Sequence, residues 1–522
     1  MFRGKKLLAA VVVCAAALSS GACGGGDSAG PEQASGASGE PVVGGAASIL
    51  TLSEPRSLDP AALGNAYATT GLLGNALYGT LMTDDESGEV RYSMAESFTS
   101  TDGGATFTLK LRPELRFSDG TPLDAEAVKF NWDRIKDPAT GSVNLAEASM
   151  IASSEIVDGV TLQVTMAAPA PRYAYSLLAS TMNWIASPEA LRAGKEAFDR
   201  SPVGAGPYRL ERWTRQATMD LVRNERYWDA PKPYLDRLTL RAVSDGSQRY
   251  NTVLSGGADL AVEGNWANID KARQAGLPTD VMELGGGVFV AMNTRRAPFD
   301  DVRARQAVAA ALDLEALNLA VYNGVALPAR TLFGESSPFY SDTALQTTDS
   351  EKAQRLFDEL AREGRPVSFT FTSSPGTENR AIAENIQAQL SSYDNVSVKI
   401  KIAEIAELIS LRTSHDFDAT VSSTFFRDPE PRLSPAFSGD TPANVSGIAD
   451  QQLTQALDEG RSAPTQEDRR DAYDRVQQRL TALTPVIFTA RAAPGVISAR
   501  DVGGVQQYGL GSLLPEELWI QK

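Results

Sequence analysis

Histidine and cysteine, two residue types widely used in metal sites and nucleophilic catalysis, are scarce in this chain of 522 residues. There is one histidine, His415, so a histidine metal site or a Ser-His-Asp triad would have to be built around that single ring. It falls between a predicted helix and a predicted strand, and no nucleophile motif accompanies it. We therefore interpret His415 as a loop residue and predict no catalytic site.

Other catalytic and ligand-binding signatures are missing from the sequence. It contains no P-loop lysine motif, spaced Gly-x-Gly-x-x-Gly or CxxC pair. Its Gly-x-Ser-x-Gly match at residues 26–30 is no nucleophile elbow, because it lies in a Gly- and Ser-rich stretch and not between a predicted strand and a predicted helix. The glycine-rich residues 204–206 lead into strand-like sequence, which indicates a turn and not a phosphate cradle. The acidic pairs at 84–85 and 300–301 lack the ligand spacing of a calcium loop. We expect a binding protein that is not an enzyme, with no cofactor and no metal.

The first residues read as an export signal. Arg3, Lys5 and Lys6 precede an apolar run at residues 7–18 and then small residues, which is the layout of a secretory signal peptide. This run is shorter than the roughly 20 residues that span a bilayer as a helix. We predict a signal peptide at residues 1–22 that is removed.

Cleavage before Cys23 would leave a cysteine for acylation, since Ser20-Gly21-Ala22-Cys23 resembles the lipobox of bacterial lipoproteins. Ser20 departs from the aliphatic residue usual at that place, so an ordinary signal cleaved nearby remains the alternative. Residues 23–46 are rich in Gly, Ser, Ala and Pro and predict a flexible tether. The two cysteines, Cys14 and Cys23, both precede the predicted folded part, which indicates a fold without disulfides.

Composition excludes some partners. The formal charge is −16, from 49 basic and 65 acidic residues, which argues against nucleic acid because phosphate binding needs a clustered basic face. About 480 residues follow the tether, too many for one core, so we expect two or three domains.

The pattern of predicted strands and helices changes along the sequence after the tether. Apolar and polar residues alternate at 106–111, and Asp158-Gly159 lies between two strand-like runs, so the first half is predicted to contain sheets and hairpins. A helix capped by Asp124 is predicted among them. From Thr348 a capping box opens a helix, and strands at 367–371, 396–402 and 417–421 alternate with helices at 378–390 and 404–412. This predicts an α/β lobe with a largely parallel sheet. We place the lobe boundary near residues 289–293 and a second crossing near 485–491.

Several blocks taken together resemble the extracellular solute-binding proteins of family 5, the peptide, opine and nickel-type binding lipoproteins of ABC importers. These blocks are SLDP at 57–60, NALYGTLMT at 75–83, the long block at 94–135, SPVGAGPYRLERW at 201–213, and the blocks at 221–241 and 291–317. Each has a structural reading of its own, as a turn with a helix cap or an amphipathic helix. We therefore treat them as evidence of fold.

The resemblance implies an α/β, two-lobed periplasmic-binding-protein type II fold, large and cluster C-like, with a hinge and an interlobe ligand cleft. It divides the chain into lobe 1 at 47–290 with an inserted subdomain at about 80–200, lobe 2 at 291–485, and a return to lobe 1 at 486–522. It also implies a monomer that delivers a small solute, by default an oligopeptide, to ABC permease subunits. A lipid on the N-terminus would hold it at the outer face of the cytoplasmic membrane.

The resemblance also suggests which residues select the ligand. Peptide-binding members hold the peptide amine with an aspartate a few residues after a tryptophan; an ungapped alignment puts Thr424 at the tryptophan and Arg427 at the aspartate. Arginine grips carboxylate or phosphate, so an anionic or non-peptide solute is one hypothesis. Two alternatives stay open: Arg427 pairs with a neighbouring acid, or a slip of one residue makes Asp428 the amine anchor.

Further candidates are carried over by position. We expect one of Phe425 and Phe426 to face the cleft and the other the core, because neighbours on a strand point to opposite faces. Arg412 is a second ligand-side candidate, or else a cation placed favourably near a helix C-terminus. The remaining candidates match segments that line the cleft in relatives, and packing roles are open for each: Glu54, Asn75, Tyr78, Glu263 and Trp266. The rival functions are a secreted hydrolase and a sensory or adhesive lipoprotein.

Overall fold

The computed structural model describes residues 34–439 and 441–521. The predicted signal peptide, Cys14, Cys23 and the first part of the predicted tether lie outside the described residues. In the rest of the tether, the Ala37 amide donates to the Val502 carbonyl over 2.9 Å and the Gly44 amide to the Tyr234 carbonyl over 2.8 Å. Residues 37–44 are therefore fastened to the folded chain before the first strand begins at Ala46.

A seven-stranded mixed sheet organises the first half of the fold. Its middle strand, Ala46–Thr51, pairs in parallel with one neighbour on each side, and the outer pairs are antiparallel. Buried aliphatic side chains such as Ile49, Leu238 and Leu260 form the core on this sheet. In spatial order the strands are Thr279–Val281, Gly495–Ser498, Leu260–Glu263, Ala46–Thr51, Arg237–Ala242, Thr218–Arg223 and Tyr208–Thr214.

A separate four-stranded antiparallel sheet lies within residues 95–166 and has its own core. The predicted strand Thr106–Leu111 and the hairpin at Asp158-Gly159 are both confirmed. So is the predicted helix, Ala125–Lys136, where the Asp124 side chain accepts from the Ala127 amide over 2.9 Å. The strands run in the order Ala95–Thr99, Thr106–Leu111, Thr161–Met166 and Ile151–Asp158.

The second half is built on a five-stranded sheet, and two details differ from the sequence prediction. Two of its strand pairs are parallel and two antiparallel, so the sheet is mixed where a largely parallel one was expected. The helix predicted from the capping box is Ser350–Arg362, and its N-cap is Asp349, while Thr348 donates to the Leu312 carbonyl. The strand order is Val396–Ile402, Val367–Ser373, Ala419–Phe426, Gly285–Met292 and Val486–Ala490.

Helices and short strand pairs surround these sheets. The remaining α-helices of the first half are Gly71–Tyr78, Leu145–Ser149, Tyr173–Leu178, Pro188–Arg192, Lys195–Arg200, Gly246–Leu254 and Trp266–Gln274. Those of the second half are Val302–Ala311, Leu314–Tyr322, Thr377–Leu390, Ile405–Ser414, Leu433–Phe437, Gln451–Ser462 and Gln466–Leu483. Short 3-10 helices are Pro60–Ala62, Pro138–Thr140, Thr181–Asn183 and Pro515–Glu517. The two-residue and three-residue strand pairs are Met82–Asp84 with Val90–Tyr92, Val502–Gly503 with Trp519–Ile520, and Gln507–Tyr508 with Ser512–Leu513.

The chain passes between the two large sheets at two places. Strand Thr279–Val281 belongs to the seven-stranded sheet and Gly285–Met292 to the five-stranded sheet, so the first passage is residues 282–284. This passage precedes the boundary expected near residue 290. The second passage, residues 491–494, lies between Val486–Ala490 and Gly495–Ser498. The residue bounds of the two lobes remain a prediction.

Arg491 fastens the second passage on both sides. Its carbonyl accepts from the Trp266 indole nitrogen over 2.9 Å, on the helix that packs against the seven-stranded sheet. Its guanidinium donates to the carbonyls of Gly286, Leu332 and Phe333 at 2.8–3.0 Å. Burial lowers the pKa of Arg491 to about 10, and the carbonyl oxygens compensate the lost hydration of the charge.

We expect Arg491→Met to lower the free energy of unfolding by about 3 kcal/mol, because three buried carbonyls lose charged donors at once. Urea unfolding of the two proteins measures the difference. Arg330→Met is the control, since Arg330 is 70% exposed and its ion pair in the described chain is with the exposed Glu315, and its effect should stay below about 1 kcal/mol. Equal effects of the two changes would contradict the role given to Arg491.

Candidate functional site

A cavity of about 970 Å³ lies where the chain first passes between the sheets. One wall comes from residues 83–91, Arg172, Tyr175 and the C-terminal residues 505–507, and residues 280–285 form its back. The other wall comes from residues 334–339, Arg427, Asp428 and Arg469. Its volume is at the upper end of the range of small-molecule sites, so it is the candidate binding site of this chain.

Arg427 bridges the two walls. It follows strand Ala419–Phe426, which is longer at its C-terminal end than the predicted strand at 417–421. Its Nε lies 3.3 Å from Oδ2 of Asp84 on the opposite wall, and its Nη2 donates to the Asp85 carbonyl. The side chain of Asp84 is only 1% exposed. Arg427 therefore pairs with an acid, as one alternative held, but the partner is Asp84 and not a sequence neighbour.

Asp428 is also paired, but within its own wall. Its two carboxylate oxygens accept from the two terminal nitrogens of Arg469 over 2.8 and 2.9 Å. Both side chains are buried, with 8% and 1% exposure. Such a bidentate pair uses the lone pairs that a ligand ammonium group would need. Asp428 thus reaches the cavity with its charge already balanced by Arg469.

Three other carboxylates lining the cavity have no ion pair in the described part of the chain. Asp280 accepts from the Gln507 amide nitrogen over 2.7 Å, and Glu283 accepts from the Ser336 hydroxyl over 2.8 Å. Glu86 is exposed. Burial, with a further contribution from Glu86, raises the pKa of Asp280. Arg172 is the cation of the cavity for which the described residues provide no ion pair, so the unbalanced charge is mainly negative.

The two phenylalanines before Arg427 differ in burial. Phe426 is 1% exposed and packs edge-on against Phe333, with ring centroids 5.7 Å apart. Phe425 is half-buried, and the Arg432 guanidinium lies 5.9 Å from its ring centroid. Neither residue lines the large cavity. Phe426 is thus the core residue of the pair, and a cleft role for Phe425 stays a prediction.

The candidates from the first helix have hydrogen-bonding roles in the core. Asn75 donates to the Leu513 carbonyl over 2.6 Å and accepts from the Trp184 indole nitrogen over 2.9 Å. The Tyr78 hydroxyl donates to the Leu58 carbonyl. Both side chains are almost completely buried and lie away from the large cavity.

The remaining candidates also lie outside the lining of the large cavity. Glu54 accepts from the Trp213 indole nitrogen over 2.7 Å beside a separate cavity of about 70 Å³. Glu263 forms a buried ion pair with Arg249 at 3.0 Å. Trp266 donates to Arg491, as described above. Arg412 lies in the last turn of Ile405–Ser414 and donates to the Val421 carbonyl of a neighbouring strand over 2.5 Å, and both readings of it stay predictions.

Sequence reasoning missed most of the cavity lining. Asp84 belongs to one of the acidic pairs visible in the sequence, but nothing in the chain order connects it to Arg427, 343 positions later. Arg469 lies on the helix Gln466–Leu483 in register with the buried residues Ala472, Tyr473 and Val476, and this spacing was the available signal that its side chain is buried. Glu283 lies in the first passage between the sheets and Asp280 on the strand just before it, so a correct placement of that passage would have drawn attention to both.

His415 ends the helix Ile405–Ser414 in the left-handed conformation, with φ of 56°. Its carbonyl accepts from the Asn293 amide nitrogen over 2.9 Å. Among the described residues there is no group of three or more His, Cys, Asp or Glu side chains placed to hold a metal ion. In that same part of the chain, no helix combines the length and the apolar character needed to cross a membrane.

Glu430 lies beside a small cavity of about 20 Å³ next to Arg427 and Asp428. Its side chain is buried, and Oε1 has no hydrogen-bond partner in the described chain. Burial, with the nearby negative charge of Asp428 as a second cause, raises the pKa of Glu430 to about 8. The folded protein therefore holds this carboxyl group protonated at neutral pH.

We expect Glu430→Gln to become more stable relative to the natural chain as pH rises. Between pH 4.5, which is the ordinary pKa of glutamate, and about pH 8, the folded state keeps a proton on Glu430 that the unfolded state loses. The free energy of unfolding should fall by up to about 1.4 kcal/mol per pH unit from this group, and glutamine abolishes that slope. Melting temperatures at pH 5 and pH 9 give the measurement.

Glu351→Gln is the matched control for this experiment, because the Glu351 side chain is 90% exposed. Its melting temperature should follow that of the natural chain at both values of pH. If the melting temperatures of Glu430→Gln and Glu351→Gln changed equally between pH 5 and pH 9, the surroundings of Glu430 would not disfavour its charged form.

The fold is that of the periplasmic binding proteins. AppA from Bacillus subtilis, solved in complex with a nonapeptide, superposes with a TM-score of 0.75 at 21% identity over 92% of this chain and all of that one. NikA from Brucella suis, solved with Fe(III)-EDTA, superposes with a TM-score of 0.78 at 20% identity over 91% of this chain and all of that one. Both confirm the α/β two-lobed binding-protein fold.

The model of the bacterial extracellular solute-binding proteins, family 5, matches residues 89–444. The chain belongs to this family. Among curated relatives, the glutathione-binding protein GsiB of Escherichia coli O1:K1 / APEC is 28% identical over 335 residues, which cover 63% of this chain and 64% of that protein. The match thus spans somewhat less than two thirds of the relative's length.

Proposed function

We propose that this chain is the solute-binding component of an ABC importer and captures a peptide or peptide-like solute for membrane permease subunits. The observation that carries the proposal is the cavity of about 970 Å³ beside the first passage between the sheets, in a member of a solute-binding family. Closing two walls around a solute needs contacts available only in the closed state and no covalent step. We therefore also propose that the chain is not an enzyme.

The charge of the cavity supports a solute with an ammonium group. Asp280, Glu283 and Glu86 lack cationic partners in the described chain, whereas the Arg427 and Arg469 guanidinium groups are each balanced by a carboxylate. All three side chains reach solvent, and an ammonium group bound beside them is attracted more strongly once the solute displaces water from around them. Peptides carry such a group, in keeping with the nonapeptide of AppA and the name of GsiB.

An anionic solute remains the alternative. NikA with Fe(III)-EDTA illustrates the same fold around an anionic chelate. The Arg427 guanidinium could attract an anion, but its pairing with Asp84 weakens that attraction, because an anion would have to displace a buried carboxylate. Arg172 is the remaining cation that could meet an anionic group.

The experiment that tests the proposal is native mass spectrometry of the full chain after purification, followed by titration calorimetry with the solute identified. A copurified peptide, released unchanged, is the expected result. Cleavage of added peptides would instead show a hydrolase. A protein partner with no small solute would show a sensory or adhesive role.

We expect the cavity carboxylates to select for positive charge. Asp280→Asn should weaken binding of a lysine-containing tripeptide about tenfold relative to its glutamate-containing counterpart, since one unbalanced carboxylate contributes on the order of 1.4 kcal/mol. Calorimetric dissociation constants for the two peptides provide the measurement. Asp300→Asn is the control, because Asp300 pairs with the exposed Arg365 outside the cavity. A stronger preference for the lysine peptide in Asp280→Asn would contradict this view.

We further propose that Cys23 carries a lipid that holds the chain, as a monomer, at the outer face of the cytoplasmic membrane. In cells fed a labelled fatty acid, the natural chain should take up label and sediment with membranes. The Cys23→Ala chain should take up none and appear in the soluble fraction. Cys14→Ala is the matched control and should behave as the natural chain does; label retained by Cys23→Ala would contradict the proposal.

A further inference from the structure

The contact between Arg427 and Asp84 connects parts of the chain that otherwise belong to different walls of the cavity. Asp84 ends the strand Met82–Asp84 of a short hairpin, and Arg427 follows a strand of the five-stranded sheet. The Nε of Arg427 lies 3.3 Å from Oδ2 of Asp84, and its Nη2 donates to the carbonyl of Asp85. One side chain thus makes both a charged and a backbone contact across the cavity.

Asp84 is held in place for this contact by its own wall. Its Oδ1 accepts from the Gly509 amide over 2.7 Å. Its Oδ2 accepts no hydrogen bond in the described chain, so the Arg427 guanidinium is the charge that balances it. The side chains are 1% and 17% exposed, which means that water screens their attraction much less than at a surface pair. Losing either partner would leave the other charge buried without compensation.

The guanidinium of Arg427 also fits closely between its neighbours. Its Nη1 lies 3.7 Å from the sulfur of Met282, on the first passage between the sheets. On the hairpin, a Cβ at Gly88 would lie 3.6 Å from Nε, an ordinary contact distance, so the guanidinium packs directly against this turn. The contact therefore involves the hairpin, the passage and the opposite wall together.

The neighbouring ion pairs of the cavity do not cross it. Asp428 and Arg469 both belong to the second wall, and Arg91 and Asp85 both belong to the hairpin. Opening the cavity would leave these two pairs intact and, among the ion pairs of its described lining, would separate the charges of Arg427 and Asp84.

We propose that Asp84 and Arg427 are positioning residues that form a latch between the two walls, and that Arg427 raises solute affinity by stabilising the closed arrangement without contacting the solute. This inference rests on the proposed function as a solute-binding protein. A group that favours the closed arrangement raises affinity by the factor by which it raises the closed population. That factor is the same for every solute, whatever its charge.

The test compares Arg427→Gln, Asp84→Asn and the double variant by small-angle X-ray scattering without solute and by stopped-flow binding with lysine and glutamate tripeptides. Each single variant should show a larger radius of gyration than the natural chain. Each should bind both peptides about tenfold more weakly, mostly through faster dissociation. The double variant should be no weaker than either single one, because both remove the same interaction.

Arg91→Gln is the matched control. It removes a guanidinium group from the same cavity, but its partners Asp85 and Glu89 lie on the same hairpin. Its radius of gyration should equal that of the natural chain. Arg427→Lys, which keeps the charge but has fewer donors, should restore most of the closed arrangement.

Three results would overturn the latch. An unchanged radius of gyration in both single variants would show that the pair does not hold the walls together. A loss of affinity confined to the glutamate peptide would make Arg427 a contact to the solute. Additive losses in the double variant would mean that the two residues act separately. If Arg427→Gln fails to fold, the isosteric Asp84→Asn variant still tests whether the pair holds the walls together. If neither peptide binds, the radius of gyration still tests it, so failure of the latch and failure of the proposed function can be told apart.

Discussion

The fold depends on two short passages of chain that lie side by side between two sheets. Thr279–Val281 pairs with Gly495–Ser498 in one sheet, and Gly285–Met292 pairs with Val486–Ala490 in the other. Only seven residues, 282–284 and 491–494, connect the paired strands of the first sheet to those of the second. Few dihedral angles can therefore change when the walls move, and such short connections are where hinge motion is absorbed in binding proteins.

Polar contacts around these passages differ in what they connect. Arg491 donates to carbonyls of the second half and accepts from Trp266 of the first, so it ties a passage to both neighbours. Arg427 meets Asp84 across the cavity, where charges would separate on opening. The contacts of Arg491 are made where the chain itself joins the two sheets. In the proposed latch, the contact between Arg427 and Asp84 depends on closure, and contacts of that kind set the population of a closed state.

The cavity combines balanced and unbalanced charges, and the distinction changes how its ligand is judged. Arg427 in isolation suggests an anion, but its partner Asp84 cancels that attraction locally. Asp428 in isolation suggests an amine anchor, but Arg469 holds both of its oxygens. The charge of the cavity lining that has no partner in the described chain is mainly negative. It comes from Asp280, Glu283 and Glu86 on one side and Arg172 on the other. A charge on a cavity wall therefore says little about the ligand until its protein partner is known.

Local patterns in the sequence determined the elements of this fold. The alternation at Thr106–Leu111, the Asp-Gly turn and the Asp124 cap each depend on residues a few positions apart, and each predicted its element correctly. The blocks that resemble family 5 indicated the architecture, and the family model matches residues 89–444. Strand ends were less certain, as Ala419–Phe426 shows, since pairing with Gly285–Met292 extends it beyond its own apolar pattern.

Only the tertiary structure decided which charges meet. Asp84 and Arg427 are 343 positions apart, and Asp428 and Arg469 are 41 apart, and no periodicity relates either pair. Two of the candidates inferred from the family resemblance bind other parts of the protein core. Asn75 donates to the Leu513 carbonyl, and Glu263 forms an ion pair with Arg249. Residue type and local spacing determine what a side chain can bind. Which partner it binds depends on where the sheets bring the chain back together, and that is a property of packing.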